Sequence, residues 1–126
     1  MLLTTLYSLI TICVVPFVMA QTKLEINLTE LRYGVRYDLE CNPTHGEDYP
    51  DPDVVCDFVY FLNGDFDQAK SSGRKCSREY FPFSVLILGE YEGERISYYR
   101  LFSNQCQARD FFDILFPFPE GELPRQ

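Results

Sequence analysis

Four cysteines, Cys41, Cys56, Cys76 and Cys106, constrain this chain more than any other feature. No two lie close enough for the C-x₂₋₄-C pair of a zinc site. An even set in a small exported domain reads instead as two disulfides. Counting leaves all three pairings open. The disulfide reading requires export, and the N-terminus supplies the signal. The first twenty residues hold no charged side chain, and Leu9 to Ala20 is an apolar run. Val18 and Ala20 stand three and one before the Ala20–Gln21 bond, as a signal peptidase requires. Residues 1–20 therefore read as a secretory signal peptide. The run is short for a membrane anchor and Pro16 interrupts it. Cys13 leaves with this leader, and Gln21 to Gln126 remains as one domain.

The charge narrows the partners. The 126 residues hold 19 acidic and 11 basic side chains, for a net charge of −8. That excess opposes a nucleic-acid backbone or an anionic membrane surface as partner. Chemistry is narrowed further by the single histidine, His45. A hydrolase would have to use it as its base, and it lies in a loop with no Ser or Cys partner nearby in sequence. The acids around it, Glu47, Asp48, Asp51 and Asp53, follow no EF-hand spacing. No nucleotide loop, metal cluster or nucleophile motif is present. The sequence points to a binding protein without a cofactor, not to an enzyme.

Periodicity sets out the elements. Leu24, Ile26 and Leu28 alternate within Thr22–Thr29, and Tyr33, Val35, Tyr37 and Leu39 alternate up to Cys41. Both predict half-buried antiparallel strands. Asn27-Leu28-Thr29 is a glycosylation sequon whose acceptor the alternation puts on the solvent face. Asp53 is the expected N-cap of a helix carrying Val55, Phe58, Val59 and Leu62, with Asn63-Gly64 as its stop. A further turn is expected at Asp65–Ala69, followed by an exposed, flexible, basic stretch, Ser71 to Lys75. Pro82–Leu88 and Arg95–Ser103 predict a hairpin about a turn containing Gly93. Asp113–Phe118 predicts a short last strand, and the polar tail from Pro119 is expected to fray. Strands, one helix and a hairpin together indicate an α+β fold.

One segment stands apart, Arg74-Lys75-Cys76-Ser77-Arg78-Glu79-Tyr80-Phe81-Pro82. A disulfide at Cys76 would clamp an exposed, extended segment with a central Arg. Such a segment has the form of a protease substrate held rigid, with its ordering cost already met.

The run Arg95-Ile96-Ser97-Tyr98-Tyr99-Arg100-Leu101-Phe102-Ser103-Asn104-Gln105-Cys106 resembles the R-V-S-Y-x-R-V-F-S-N-E-C signature of the Streptomyces subtilisin inhibitor family. Tyr49-Pro50-Asp51-Pro52 ahead of Cys56 is similar to that family's H-P-x-P. Asn63-Gly64-Asp65-Phe66 is similar to its glycine-marked break after the helix. The spacings of Cys41 to Cys56 and of Cys76 to Cys106 match without gaps, and the likeness runs from Leu24 to Phe118.

The resemblance implies the disulfides Cys41–Cys56 and Cys76–Cys106. It implies a five-stranded antiparallel sheet with two helices on one face. It also implies a homodimer formed through an exposed apolar sheet face rich in Tyr and Phe. By position it puts the reactive bond at Arg78–Glu79. Cys76, Ser77, Tyr80 and Phe81 would flank that bond in contact with the protease, and Asn104 would brace the loop. The implied function is secreted serine protease inhibition. An Arg at the cleaved bond favours trypsin-like targets first and subtilisin- or kexin-like ones second. The alternative is a non-inhibitory relative that binds another extracellular protein through its sheet face. Three positions depart from the family: Ser77 replaces a usual Pro, Glu79 a small or β-branched residue, and Tyr49 a common His. The linker before Cys76 is one residue shorter.

Overall fold

The computed structural model describes residues 9–14 and 20–124. The expected leader, residues 1–20, lies largely outside them. No helix among the described residues is long and apolar enough to cross a membrane.

Two hairpins make the sheet. β1 (Thr22–Glu30) and β2 (Tyr33–Cys41) pair Leu24 with Leu39, Ile26 with Tyr37 and Leu28 with Val35. β3 (Phe83–Tyr91) and β4 (Glu94–Phe102) pair Ile87 with Tyr98 and Phe83 with Phe102. Glu92 and Gly93 turn the second hairpin, both at positive φ, as the twist of a tight two-residue turn demands. β1 pairs with β3, which gives an antiparallel sheet of order β2-β1-β3-β4. Opposed residues share a face, so these pairs stack one apolar layer, and every member of it is buried. Gly89 lies where β3 crosses close to β1. Its φ is +141°, and a Cβ there would stand 2.0 Å from the Lys23 carbonyl oxygen.

Two helices cover that layer. α1 (Pro52–Phe61) buries Val55, Cys56 and Val59. Its cap is Asp51, whose carboxylate accepts from the Val54 N–H at 3.4 Å. The expected cap, Asp53, lies inside the first turn instead, where its charge meets the positive end of the helix dipole. Pro52 accounts for the difference. It presets a helical φ and has no N–H to satisfy, so the helix begins there. Cys41–Cys56 ties the end of β2 to α1, with S–S 2.09 Å. Beyond Gly64, a 3₁₀ turn at Phe66–Gln68 buries Phe66. α2 (Gln105–Phe112) presents Phe112 to the rings of Phe58, Phe66, Tyr98 and Phe102, at 5.7–6.4 Å.

The structure corrects four further expectations. The sheet has four strands among the described residues, not five. The predicted strand at Asp113–Phe118 is a 3₁₀ turn, Asp113–Leu115, followed by a short unpaired segment. Leu115, Phe116 and Phe118 are buried without a ladder: Phe116 packs on Phe83 at 5.4 Å and Phe118 on Tyr37 at 6.4 Å. The carbonyl of Phe118 is taken by the buried Arg109, Nη2 to O 2.7 Å, which removes the acceptor a neighbouring strand would use. The tail is also held: Gln105 accepts from the Gly121 N–H at 2.8 Å and donates to the Glu122 carbonyl at 3.3 Å.

The fourth correction concerns the open sheet face. Register gives that face Lys23, Glu25, Asn27 and Thr29 on β1, and Arg36, Asp38 and Glu40 on β2. β3 and β4 add Leu86, Leu88, Tyr99 and Leu101. One Tyr and no Phe lie there. The alternation of the strands sends the aromatic rings to the opposite side, into the core beneath the helices.

Candidate functional site

The segment between Ala69 and β3 has no regular structure, yet it is fixed along its length. It runs beside the first turns of α2, in the opposite direction. Asp110 anchors its start, accepting from Ser71 Oγ (2.5 Å), Ser72 N–H (3.0 Å), Ser72 Oγ (2.8 Å) and Arg74 N–H (2.8 Å). The Ser71 hydroxyl first, then the Arg74 amide and the Ser72 donors, hold the Asp110 carboxyl at about 2, below the ordinary carboxylate range. The Arg74 side chain pairs with Asp113 at 3.2 Å and Glu120 at 3.0 Å. The stretch Ser71–Lys75, expected to be flexible, is therefore a tethered leg.

Cys76 follows, bonded to Cys106 at S–S 2.01 Å. Next come Ser77, Arg78, Glu79, Tyr80 and Phe81, all exposed. Tyr80 keeps 70% of its surface open to solvent. Exposure at this level is normally accompanied by mobility, because nothing packs against the segment. Here a single buried side chain restrains it. Asn104 Nδ2 donates to the carbonyls of Ser77 (3.1 Å) and Glu79 (2.9 Å), one on each side of Arg78. Asn104 Oδ1 meanwhile caps α2, accepting from the Gln107 N–H at 3.0 Å. The loop rejoins the sheet where Phe81 N–H donates to the Ser103 carbonyl at 2.7 Å. At that foot the Leu31 N–H meets the Pro82 carbonyl at 3.3 Å, so the β1–β2 turn supports it.

The structure thus brings Cys76, Ser77, Arg78, Glu79, Tyr80, Phe81, Asn104 and Cys106 together. Cys41 and Cys56 form the other disulfide, buried beneath α1. His45 is exposed and contributes only its backbone, in a two-bond bridge to Glu40. No group of three or more His, Cys, Asp or Glu able to hold a metal occurs among the described residues. Tyr49 is a core residue, its ring 5.5 Å from that of Tyr37 and its hydroxyl donating to the Leu115 carbonyl at 3.1 Å. Asn27 lies half-buried on the open face, with Nδ2 3.5 Å from the Leu86 carbonyl.

Sequence reasoning missed Asp110 and Arg109. Arg109 is buried and spans Gln105 (3.0 Å), Asp113 (3.1 Å) and Phe118, which locks the end of α2 to the tail. The signal for α2 itself was present: Asn104 as cap, then Ala108, Phe112 and Leu115 at helical spacing. No such signal marks Asp110 as the partner of a distant serine pair.

Known proteins resemble this chain. The subtilisin inhibitor-like family model matches residues 22–104. A trypsin inhibitor of Streptomyces longisporus, STI2, is 35% identical over 81 residues, which is 64% of this chain and 56% of that protein. The chain thus spans little more than half the length of this relative. The protease inhibitor SIL-V1/SIL-V4 of Streptomyces netropsis is 33% identical over 82 residues, 64% of this chain and 74% of that one. Sermetstatin of Streptomyces caespitosus, solved in complex with Bacillus licheniformis subtilisin, shares the fold at a TM-score of 0.65. It is 18% identical, with 75% of this chain and 94% of that one covered. With the family model matched across the sheet, α1 and the loop up to its brace, this chain belongs to the subtilisin inhibitor-like family.

Proposed function

We propose that the protein is a secreted inhibitor of serine proteases. Arg78–Glu79 is the bond offered to the protease, and residues 1–20 are a leader removed on export. The observation that carries this reading is the Asn104 amide, which holds the carbonyls on both sides of Arg78. A substrate loop fixed in this way binds with little further loss of conformational entropy. After cleavage, the Cys76–Cys106 disulfide and the Asn104 contacts keep the new termini close, so resealing competes with release. Arg78 enters the specificity pocket as a charge-assisted, fork-shaped donor, which favours trypsin-like enzymes with an acidic pocket. Subtilisin- and kexin-like enzymes rank second. Ser77 leaves one more rotatable φ than the family's Pro, and Glu79 sets a carboxylate just past the cleaved bond. Both act against tight binding.

The open sheet face is the proposed homodimer surface, through the apolar strip Leu86, Leu88, Tyr99 and Leu101. Sedimentation across a concentration series tests that, with a monomer at all concentrations counting against it.

The inhibition reading is tested by titrating trypsin and subtilisin with the exported protein, whose N-terminal sequence should begin at Gln21. Inhibition of trypsin, with slow cleavage mapped between Arg78 and Glu79, supports the reading. No inhibition of either enzyme at micromolar protein defeats it and favours the sheet-face binder.

A further inference from the structure

We infer that Asp110 is a positioning residue of the loop, a second fastener that keeps its N-terminal leg in place when the Arg78–Glu79 bond is cut. This rests on the inhibitor reading and deepens it.

A disulfide is a single tether. Rotation about its Cα–Cβ, Cβ–S and S–S bonds lets the attached strand swing. Two fasteners at separate points remove that swing. α2 supplies them in a row, because residues four apart on a helix share a face. Cys106 and Asp110 stand about one turn apart, roughly 6 Å along the axis. Cys106 holds position 76, and Asp110 holds positions 71, 72 and 74. Asn104, at the start of the same helix, holds 77 and 79. The leg and the tip are thus aligned on one helix from Asp110 to Asn104.

Cleavage adds water across the peptide bond and leaves a carboxylate on Arg78 and an ammonium on Glu79. Resealing is the reverse and releases water. Downstream of the cut, Glu79 and Phe81 remain bonded to the Asn104 side chain and the Ser103 carbonyl. Upstream, the new end at Arg78 is steered by the Asn104 bond to the Ser77 carbonyl, by the Cys76 disulfide and by the leg behind them. By fixing that leg, Asp110 raises how often the two ends meet. Its anchor is charge-assisted, and the low carboxyl pKa that its donors impose keeps it ionised across the range in which serine proteases work.

The test is the equilibrium between cleaved and intact inhibitor at catalytic trypsin, approached from both sides and read by mass spectrometry. Loss of a hydrogen-bonded carboxylate in D110A should raise the cleaved-to-intact ratio about tenfold. D110N keeps one acceptor oxygen and should fall between the two. The Arg74 amide, which donates to the Asp110 carboxylate alone, should exchange hydrogen faster in D110A, whatever the enzyme, whereas the Ser72 amide keeps its bond to the Asp110 main-chain carbonyl. A wild type that inhibits, with D110A within twofold of its ratio, overturns the inference and leaves the inhibitor reading standing. A wild type that neither inhibits nor is cut at Arg78 overturns that reading, and unchanged amide exchange in D110A overturns the fastener on its own. D110N is the working variant if D110A fails to fold.

Discussion

The two disulfides differ in what they hold. Cys41–Cys56 is buried, with its cysteines 1% and 3% exposed, and it joins β2 to the helix that covers the core. Cys76–Cys106 is half-exposed and joins α2 to a segment with no regular structure. Their ring sizes differ, at sequence separations of 15 and 30. On chain entropy alone each contributes about 3–4 kcal/mol, with the longer ring ahead by roughly 0.6 kcal/mol. In thermodynamic terms the bridges are near equals, and location separates their roles. Beneath α1, a crosslink adds stability to residues already packed. Beside the loop, a crosslink gives fixed shape to residues that packing does not reach.

The sharpest way to break this contrast is at the tip. Arg78→Ala should raise the inhibition constant for trypsin about a thousandfold, as loss of a central charged anchor does. Its unfolding free energy should stay within about 0.5 kcal/mol of wild type, since the side chain is exposed. Titration of active trypsin and urea unfolding read the two effects. A parallel loss of both would mean that the loop and the scaffold are one cooperative unit.

The paired cysteine deletions come next. C41A/C56A should lose about 3 kcal/mol or more of stability in urea, yet still inhibit at temperatures where it is folded. C76A/C106A should lose a similar amount and be turned over by trypsin as an ordinary substrate. Asn104→Ala is smaller. Loss of the α2 cap costs about 1 kcal/mol, and the unbraced carbonyls should appear as faster cleavage at Arg78, measured by chromatography over time.

The smallest effect is that of pH on the leg. The Asp110 carboxyl is held at about 2, against 3.8 ordinarily. Because the folded value is depressed, its contribution is complete above pH 3.8 and is lost as pH falls through about 2. Amide resonances of Ser72 and Arg74 should therefore stay constant from pH 7 to 4 and shift below 3. A midpoint near 4 would show an ordinary, unanchored carboxylate.

Legibility of the sequence followed the range of the interactions. β1 and β2 could be read because alternation is local and Leu24, Ile26 and Leu28 record the buried face directly. α1 could be read for the same reason, apart from its cap, which Pro52 moved to Asp51. The disulfide pairing and Asn104 came through family likeness, because nothing local singles them out; Arg78 stands out locally as the central Arg of the Cys76 segment, and only its assignment to a reactive bond came from the likeness. The leg at Ser71–Arg74 was misread because small polar residues look mobile until their acceptor is known. That acceptor lies 36 to 39 positions away, one of 19 carboxylates in the chain. Asp113–Phe118 was misread because burial and β-pairing share one apolar signature, and Arg109, nine positions before Phe118, decided between them.

The Asn104 amide has a further consequence. Its oxygen serves the fold by capping α2, and its nitrogen serves the loop. Deamidation by direct hydrolysis would exchange that nitrogen for oxygen and leave the side chain's shape unchanged. The cap would survive, strengthened by its charge, while two carbonyls would face an acceptor instead of a donor. A preparation aged in this way would pass every test of folded content and fail as an inhibitor. If the chain inhibits as proposed, the chemistry of one amide separates the lifetime of that activity from the lifetime of the fold.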